Sequence, residues 1–235
     1  MSNVLALIPA RSGSKGIPGK NFTQLAGLSP LDRVRDLCGS MDLRYVVTSD
    51  AKVGFSGPSW LQRPPELAQD DTPMIDVVQH ALAEIPGPED QIILLVQPTQ
   101  PLREPKHITA ALELLGWYTS VVSVVQVPAA QTPELMCWVG GLSGYLCPFD
   151  VKRGMFGGEP RDWSIRPTCR QETSSWYRPD GTVYAFRRDT VATYGNIFGP
   201  CCRPLIIPVS ETCPLDTMED WAEAERRLRE RDKSM

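Results

Sequence analysis

The sequence predicts an α/β fold in which helices flank a mostly parallel β-sheet. Short apolar runs and amphipathic segments alternate four times within residues 1–127, which is typical of strand–helix units. The chain has 235 residues, 42% of them hydrophobic and 22% charged, so it can bury one large core. A loop rich in glycine and cationic residues follows the first apolar run, where parallel sheets bind ligands.

The first part of the chain predicts two strands and two helices. Residues 4–9 form a continuous apolar run, which indicates a buried strand. A helix is expected to begin at Ser29-Pro30, with the serine as N-cap, and to run to Cys38. Residues 43–48 predict a second strand. Residues 49–69 are expected to be irregular, and a second helix is expected to begin at Thr72-Pro73.

The next segments continue the alternation and then interrupt it. Residues 91–96 and 119–127 predict strands on either side of a helix that begins at Glu104-Pro105 and ends at Leu115. Residues 128–178 break the rhythm, and a β-hairpin is expected there, with strands at 135–139 and 142–146. We therefore predict an α/β domain of residues 1–127 and 179–235, with residues 128–178 as an excursion.

The last segment returns to the sheet. Asp180-Gly181 predicts a turn, and the strands expected after it span residues 182–187 and 202–209. A charged closing helix is expected at residues 216–231. His80 and His107 are expected to be solvated or half-buried.

Composition excludes several classes of protein. The net charge of −4 gives no general attraction to nucleic acid or to acidic membranes. The longest apolar runs are far shorter than the roughly 20 residues of a membrane-spanning helix. The N-terminal residues show no secretory signal, and the seven cysteines include no C-x-x-C pair. These observations predict reduced thiols and a cytoplasmic protein.

The strongest functional signal is the loop from Arg11 to Asn21. It contains three cations, at positions 11, 15 and 20, and three glycines, at positions 13, 16 and 19. Glycine lets backbone N–H groups approach an anion, which the cations neutralise. The spacing fits neither a Walker A motif nor a dinucleotide fingerprint. We expect a nucleoside triphosphate here; a solvated basic loop is the alternative.

Five segments in register resemble the acylneuraminate cytidylyltransferases, the family that includes the CMP-sialic acid synthetases. The resemblance extends over about residues 4–226. The matching segments are Ile8–Asn21, Arg63–Pro73, Leu95–Arg103, Arg170-Gln171 with Asp180–Tyr184, and Asp216–Trp221.

The resemblance implies a Rossmann-like fold and a defined chemistry. CTP would be joined to an acidic α-keto sugar, a sialic acid or related nonulosonate, with Mg²⁺ as cofactor and pyrophosphate as product. A homodimer is also implied, with the tryptophan-rich excursion as its contact and as part of the sugar site. Two alternatives stay open: another acceptor such as an octulosonate, and a degenerate protein that binds nucleotide without turnover.

The resemblance also assigns roles to individual residues. Lys15 and Arg170 are the expected catalytic residues. Gln97 and Arg170 are expected to contact the sugar. The expected nucleotide contacts are Arg11, Lys15, Lys20, Asn21, Arg63 and Thr72. Thr72 precedes a helix, so an N-capping role is the alternative for it.

The expected metal ligand is Asp216. The family places a second aspartate two residues earlier, but Pro214 stands here and cannot bind metal. Asp216 also has an alternative role as the N-cap of the last helix, with Glu219 as its capping-box partner.

Overall fold

The computed structural model describes residues 3–51, 59–133, 136–140, 145–150, 155–156 and 174–234. The chain divides into two compact units, one of Met1–Val124 with Pro179–Met235 and one of Val125–Arg178. The first unit is built on a seven-stranded sheet. The second contains a three-stranded antiparallel sheet.

The elements follow in chain order. The strands are β1 (Val4–Pro9), β2 (Arg44–Ser49), β3 (Trp60–Gln62), β4 (Ile92–Leu95), β5 (Ser120–Gln126), β6 (Cys137–Gly140), β7 (Tyr145–Asp150), β8 (Met155–Phe156), β9 (Tyr177–Arg187) and β10 (Cys202–Ile206). The helices are α1 (Pro30–Ser40), α2 (Met74–Glu84), α3 (Pro105–Leu115), α4 (Arg188–Tyr194) and α5 (Met218–Ser234). Short 3₁₀ helices span Pro65–Leu67, Ala129–Gln131 and Val209–Glu211.

The large sheet has the order β10-β5-β9-β4-β1-β2-β3. β1 pairs in parallel with both β2 and β4, and β4 pairs antiparallel with β9. The chain therefore moves from β1 to β2 on one side and returns to β4 on the other. Ligands bind at such a reversal of strand order, outside the carboxyl ends of the strands. The predicted α/β fold is confirmed.

Helices cover both faces of this sheet because side chains alternate along each strand. Val4, Ala6 and Ile8 pack with buried residues of α1 and α3. Leu5 and Leu7 point to the other face and pack with buried residues of α2 and α4. All five are less than 9% exposed.

Three local predictions are wrong. Residues 60–62, expected to be irregular, form β3 and pair with β2 at the sheet edge. Asp180-Gly181 lies inside β9 instead of forming a turn before it. Gly181 has a φ of +80°, and the Asp180 carboxylate accepts hydrogen bonds from the backbone and hydroxyl of Thr182, so the positive-φ kink is absorbed within the strand. His107 is buried and hydrogen-bonded through both ring nitrogens.

In the second unit, the hairpin is present with shifted strands. β6 and β7 pair antiparallel from Cys137–Pro148 to Gly140–Tyr145, and β8 extends the sheet beyond β7. The predicted excursion overlaps this unit, while its expected role in dimerisation stays a prediction.

Candidate active site

A cleft of about 230 Å³ lies where β1 and β4 end. Its walls come from the loop after β1, the loop after β4, the residue that follows β3 and the segment before α5. The lining residues are Pro9, Arg11, Lys20, Asn21, Arg63, Met74, Gln97, Pro98, Thr99 and Asp216. The cleft therefore occupies the reversal of strand order at which α/β sheets bind ligands.

The loop after β1 is held by its own backbone and by Asn21. Gly19, with a φ of +64°, accepts hydrogen bonds from two following backbone N–H groups. Asn21 Nδ2 donates to the carbonyl oxygen of Arg11 at 2.9 Å, which ties the two ends of the loop together. Asn21 is only 5% exposed, and its Oδ1 atom has no hydrogen-bond partner among the described residues. Asn21 also lines the cleft.

The loop approaches the segment before α5 at Gly16. A Cβ atom at this position would lie 2.5 Å from the carbonyl oxygen of Asp216, so a side chain would push the two segments apart. Lys20 strengthens the same contact, because its Nζ donates to the carbonyl oxygen of Leu215 at 2.8 Å. Lys20 Nζ also lies 3.9 Å from Asp216 Oδ1. Burial lowers the pKa of Lys20, although Asp216 acts in the opposite direction.

Arg11 and Lys15 share one counterion. Arg11 Nη1 lies 2.5 Å from Asp70 Oδ1, and Lys15 Nζ lies 3.0 Å from Asp70 Oδ2. Hydrogen bonds from Lys15 and Arg11 lower the pKa of Asp70, so the carboxylate is charged at neutral pH. The Lys15 side chain is 88% exposed, whereas that of Arg11 is 26% exposed.

Arg63 is a buried cation of the cleft. It is 3% exposed, and its Nη2 donates to the carbonyl oxygen of Thr48 at 2.8 Å. Burial lowers the pKa of Arg63 to about 10, so it keeps its charge at neutral pH. Asp50 lies near enough to favour that charge, and it accepts hydrogen bonds from the Ser12 backbone at 2.7 Å and hydroxyl at 2.5 Å.

The loop after β4 is fixed by Arg103. This guanidinium is 6% exposed and donates to the carbonyl oxygens of Gln97, at 2.6 Å, and of Thr182 and Gly181 in β9. Burial lowers the pKa of Arg103 to about 10. Gln97, which lines the cleft, is therefore held in place through its backbone.

The last helix is capped one residue later than expected, which corrects the alternative role of Asp216. Thr217 Oγ1 accepts from the backbone N–H of Asp220 at 3.2 Å, and Asp220 Oδ2 accepts from the backbone N–H of Thr217 at 2.8 Å. Thr217 and Asp220, instead of Asp216 and Glu219, thus form the capping box. The Asp216 side chain is 75% exposed beside Lys20.

The structure brings six of the nine predicted site residues to this cleft: Arg11, Lys20, Asn21, Arg63, Gln97 and Asp216. Lys15 does not line it but reaches Arg11 through Asp70. Thr72 does not line it either. Its capping alternative is wrong, because Pro73 occupies the N-cap of α2 and the Thr72 hydroxyl donates to the carbonyl oxygen of Glu66 at 3.4 Å. Arg170 lies outside the described residues.

Sequence reasoning did not select Asp70, Asp50 or Ser12. Asp70 lies within the Arg63–Pro73 segment that carried the resemblance, so the signal was present without a role attached. Among the residues placed in the structure, no group of three or more His, Cys, Asp or Glu side chains could hold a metal ion. None of the helices placed there is long and apolar enough to cross a membrane.

Comparisons with known proteins agree on one family. Residues 5–129 match the sequence profile described as Cytidylyltransferase. The chain is 30% identical over 238 residues to CMP-N,N'-diacetyllegionaminic acid synthase of Legionella pneumophila, with 96% of each chain covered. It is 35% identical over 229 residues to N-acylneuraminate cytidylyltransferase of Escherichia coli O18:K1:H7, covering 94% of this chain and 51% of that protein. The chain thus spans about half the length of this second relative.

Among solved structures, CMP:2-keto-3-deoxy-manno-octonic acid synthetase complexed with CTP has the same fold. The superposition has a TM-score of 0.66 and covers 98% of this chain and 100% of the other, at 17% sequence identity.

Proposed function

The chain belongs to the cytidylyltransferase family, and on that premise we propose that it couples CTP to an acidic α-keto sugar and releases pyrophosphate. The proposed acceptor is a sialic acid or a related nonulosonate. Its support is the names of the relatives, which are a CMP-legionaminic acid synthase and N-acylneuraminate cytidylyltransferases.

The observation that carries the proposal is the convergence of cations and amides on one cleft. Arg11 and Lys20 come from the loop after β1 and Arg63 follows β3, and all three meet where β1 and β4 end, on a chain whose net charge is −4. Such a local cluster suits a polyphosphate, because each guanidinium or ammonium donates charge-assisted hydrogen bonds to phosphate oxygens. Asn21 and Gln97 add the acceptors and donors that orient a base or a sugar.

The reaction is a direct displacement at phosphorus. The anomeric hydroxyl oxygen of the sugar bonds to the α-phosphorus and loses its proton to solvent, while the bond from phosphorus to the bridging oxygen breaks and pyrophosphate leaves with that electron pair. Catalysis of this kind rests on positioning and on neutralising charge. Lys20 and Arg11 neutralise the phosphates, buried Arg63 keeps the nucleotide in register, and Gln97 holds the sugar. The assigned role of Arg170 at the sugar stays part of the proposal.

The residues present fit a Mg²⁺ ion held mainly by the nucleotide. Thr217 and Asp220 satisfy the helix cap, so the exposed Asp216 carboxylate is free to coordinate. Mg²⁺ keeps several waters and takes phosphate oxygens together with one or two carboxylates, so a single carboxylate is a sufficient protein donor. The bound ion would neutralise charge on the phosphates.

The assembly and location of the protein are also part of the proposal. Residues 128–178 are proposed to form a homodimer contact, because tryptophan and arginine, which are frequent there, are enriched in interface cores. A cytoplasmic location is supported by the adjacent cysteines Cys201 and Cys202, which are exposed and unpaired, as expected of a reducing compartment.

The test is pyrophosphate release from CTP and Mg²⁺ with a panel of sialic acid, legionaminic acid and octulosonate acceptors. We expect turnover with a nonulosonate. Preference for the octulosonate would favour the alternative acceptor. CTP binding without turnover on any acceptor or divalent ion would instead indicate a nucleotide-binding protein. Arg11→Ala should weaken CTP binding by about 1.5–3 kcal/mol, because the substitution removes a hydrogen bond to a charged group.

A further inference from the structure

Asp70 pairs with Arg11, which the proposed function assigns to phosphate, and with Lys15, an expected nucleotide contact. Its two carboxylate oxygens are divided between Arg11 Nη1, at 2.5 Å, and Lys15 Nζ, at 3.0 Å. Carboxylate and phosphate oxygens accept the same charge-assisted hydrogen bonds from such donors. A phosphate that engages both cations therefore competes with Asp70 for them.

The position of Asp70 is set by a turn that two side-chain hydrogen bonds hold in place. Gln69 Nε2 donates to the carbonyl oxygen of Pro65 at 2.7 Å, and the Thr72 hydroxyl donates to that of Glu66. These bonds connect the residues on both sides of Asp70 to the 3₁₀ helix Pro65–Leu67. Thr72 thereby acts on the cleft indirectly, by holding the turn that presents the carboxylate.

We propose that Asp70 is the internal counterion of the phosphate-binding cations: nucleotide phosphates displace it from Arg11 and Lys15, and it pairs with them again when pyrophosphate leaves. This inference rests on the proposed function for its physiological ligand. Before nucleotide binds, Asp70 keeps two like charges close together. During release it competes for the donors that would otherwise retain the product.

The strength of the pairs suits an exchange of partners. The Asp70 side chain is 32% exposed and that of Lys15 is 88% exposed, so water screens both contacts. Exposed ion pairs are weak, and a multiply charged phosphate can displace them readily. The carboxylate then lowers phosphate affinity by a modest factor instead of closing the site.

The test compares Asp70→Asn with the unchanged protein by titration calorimetry. The probes are inorganic tripolyphosphate and pyrophosphate, without divalent ions. Because the asparagine carries no charge to compete, we expect each probe to bind about three- to tenfold more tightly. The matched control is Asp71→Asn, which removes the same charge from the adjacent exposed residue and should change affinity less than twofold.

The contacts themselves are tested in a second background. In Lys15→Ala, where half of the pairing is gone, Asp70→Asn should give a smaller gain in affinity. Unchanged or weaker tripolyphosphate binding by Asp70→Asn overturns the inference, as does an equal gain from Asp71→Asn. Failure of the proposed function looks different: CTP then gives no turnover, while the inorganic phosphates still report on Asp70.

Discussion

Asp216 lies one residue before the cap of α5, and this offset determines its chemistry. The capping hydroxyl belongs to Thr217 and the returning carboxylate to Asp220. Asp216 therefore leaves its own carboxylate in solvent beside Lys20. A side chain with no part in the helix cap can be assigned to the ligand without conflict with folding.

Asp216→Asn is expected to separate activity from stability. Turnover with Mg²⁺ should fall roughly tenfold or more, since an amide is a poor ligand for a hard cation. The thermal midpoint should stay within about 2 °C. Thr217→Ala is the control, because losing the cap should cost about 1 kcal/mol of folding stability. Full Mg²⁺-dependent activity in Asp216→Asn would remove Asp216 from the metal site.

At the level of residues, sequence identified the members of one local motif better than the contacts between distant loops. Arg11, Lys20 and Asn21 share one local motif, and the structure places all three at the cleft. The ion pairs of Asp70 join loops more than fifty residues apart in the chain. No periodicity or local motif encodes such a pair, because folding alone brings the partners together.

At the level of elements, a hydrogen bond and an ion pair join the N-terminus of α3 to the 3₁₀ helix Val209–Glu211. His107 Nδ1 accepts from the backbone N–H of Glu104 at 3.2 Å, and its Nε2 donates to Glu211 Oε2 at 2.8 Å. Lys106 Nζ lies 2.7 Å from the same oxygen. Hydrogen bonds from Lys106 and His107 lower the pKa of Glu211 below its ordinary value of 4.5.

The contacts of Glu211 with Lys106 and His107 predict a pH-dependent contribution to folding stability. Because the folded pKa of Glu211 is lowered, its contribution is present above the unfolded pKa and is lost as the pH falls through the folded value. Glu211→Gln should lower the free energy of unfolding by about 1 kcal/mol at pH 7, and the difference should shrink below about pH 4. Urea unfolding at both pH values measures it.

The matched control for Glu211→Gln is Glu225→Gln. Glu225 pairs with Arg229 along the exposed face of α5, at 2.7 Å. Such a pair within one helix contributes only a few tenths of a kcal/mol. If the loss of unfolding free energy in Glu211→Gln stayed constant down to pH 3, the charge of Glu211 would have no part in these contacts.

The sequence located the helices whose first residues carry a local start signal. Ser29 caps α1 and accepts from the backbone of Asp32 at 3.0 Å, and Pro105 opens α3, as predicted. It missed β3, because three residues are too few to show a period of two. The turn predicted at Asp180-Gly181 was wrong because the dipeptide indicates only a positive φ at Gly181. Tertiary pairing decides whether that φ belongs to a turn or to a kink within a strand.

At the level of the whole molecule, the proposed homodimer is the next question. Each chain has a mass of 26.1 kDa. Trp117, two residues after the end of α3, is 87% exposed in the single chain, and an exposed tryptophan is a frequent interface residue. Sedimentation velocity at micromolar concentration should show a species of twice the chain mass. A 26.1 kDa species throughout a dilution series would rule out a stable dimer.

The third hydrophobic cluster has a consequence for biosynthesis. It packs Ile17, Leu102 and Leu215 against Ala224 and Leu228 of α5, and thereby joins the loops after β1 and β4 to the closing helix. All seven strands of the large sheet precede that helix in the chain. During translation the strands of the sheet emerge before α5 does. Without α5 the two loops lack the partner that joins them, so nascent chains that stop short of residue 218 carry the strands of the sheet without a finished cleft.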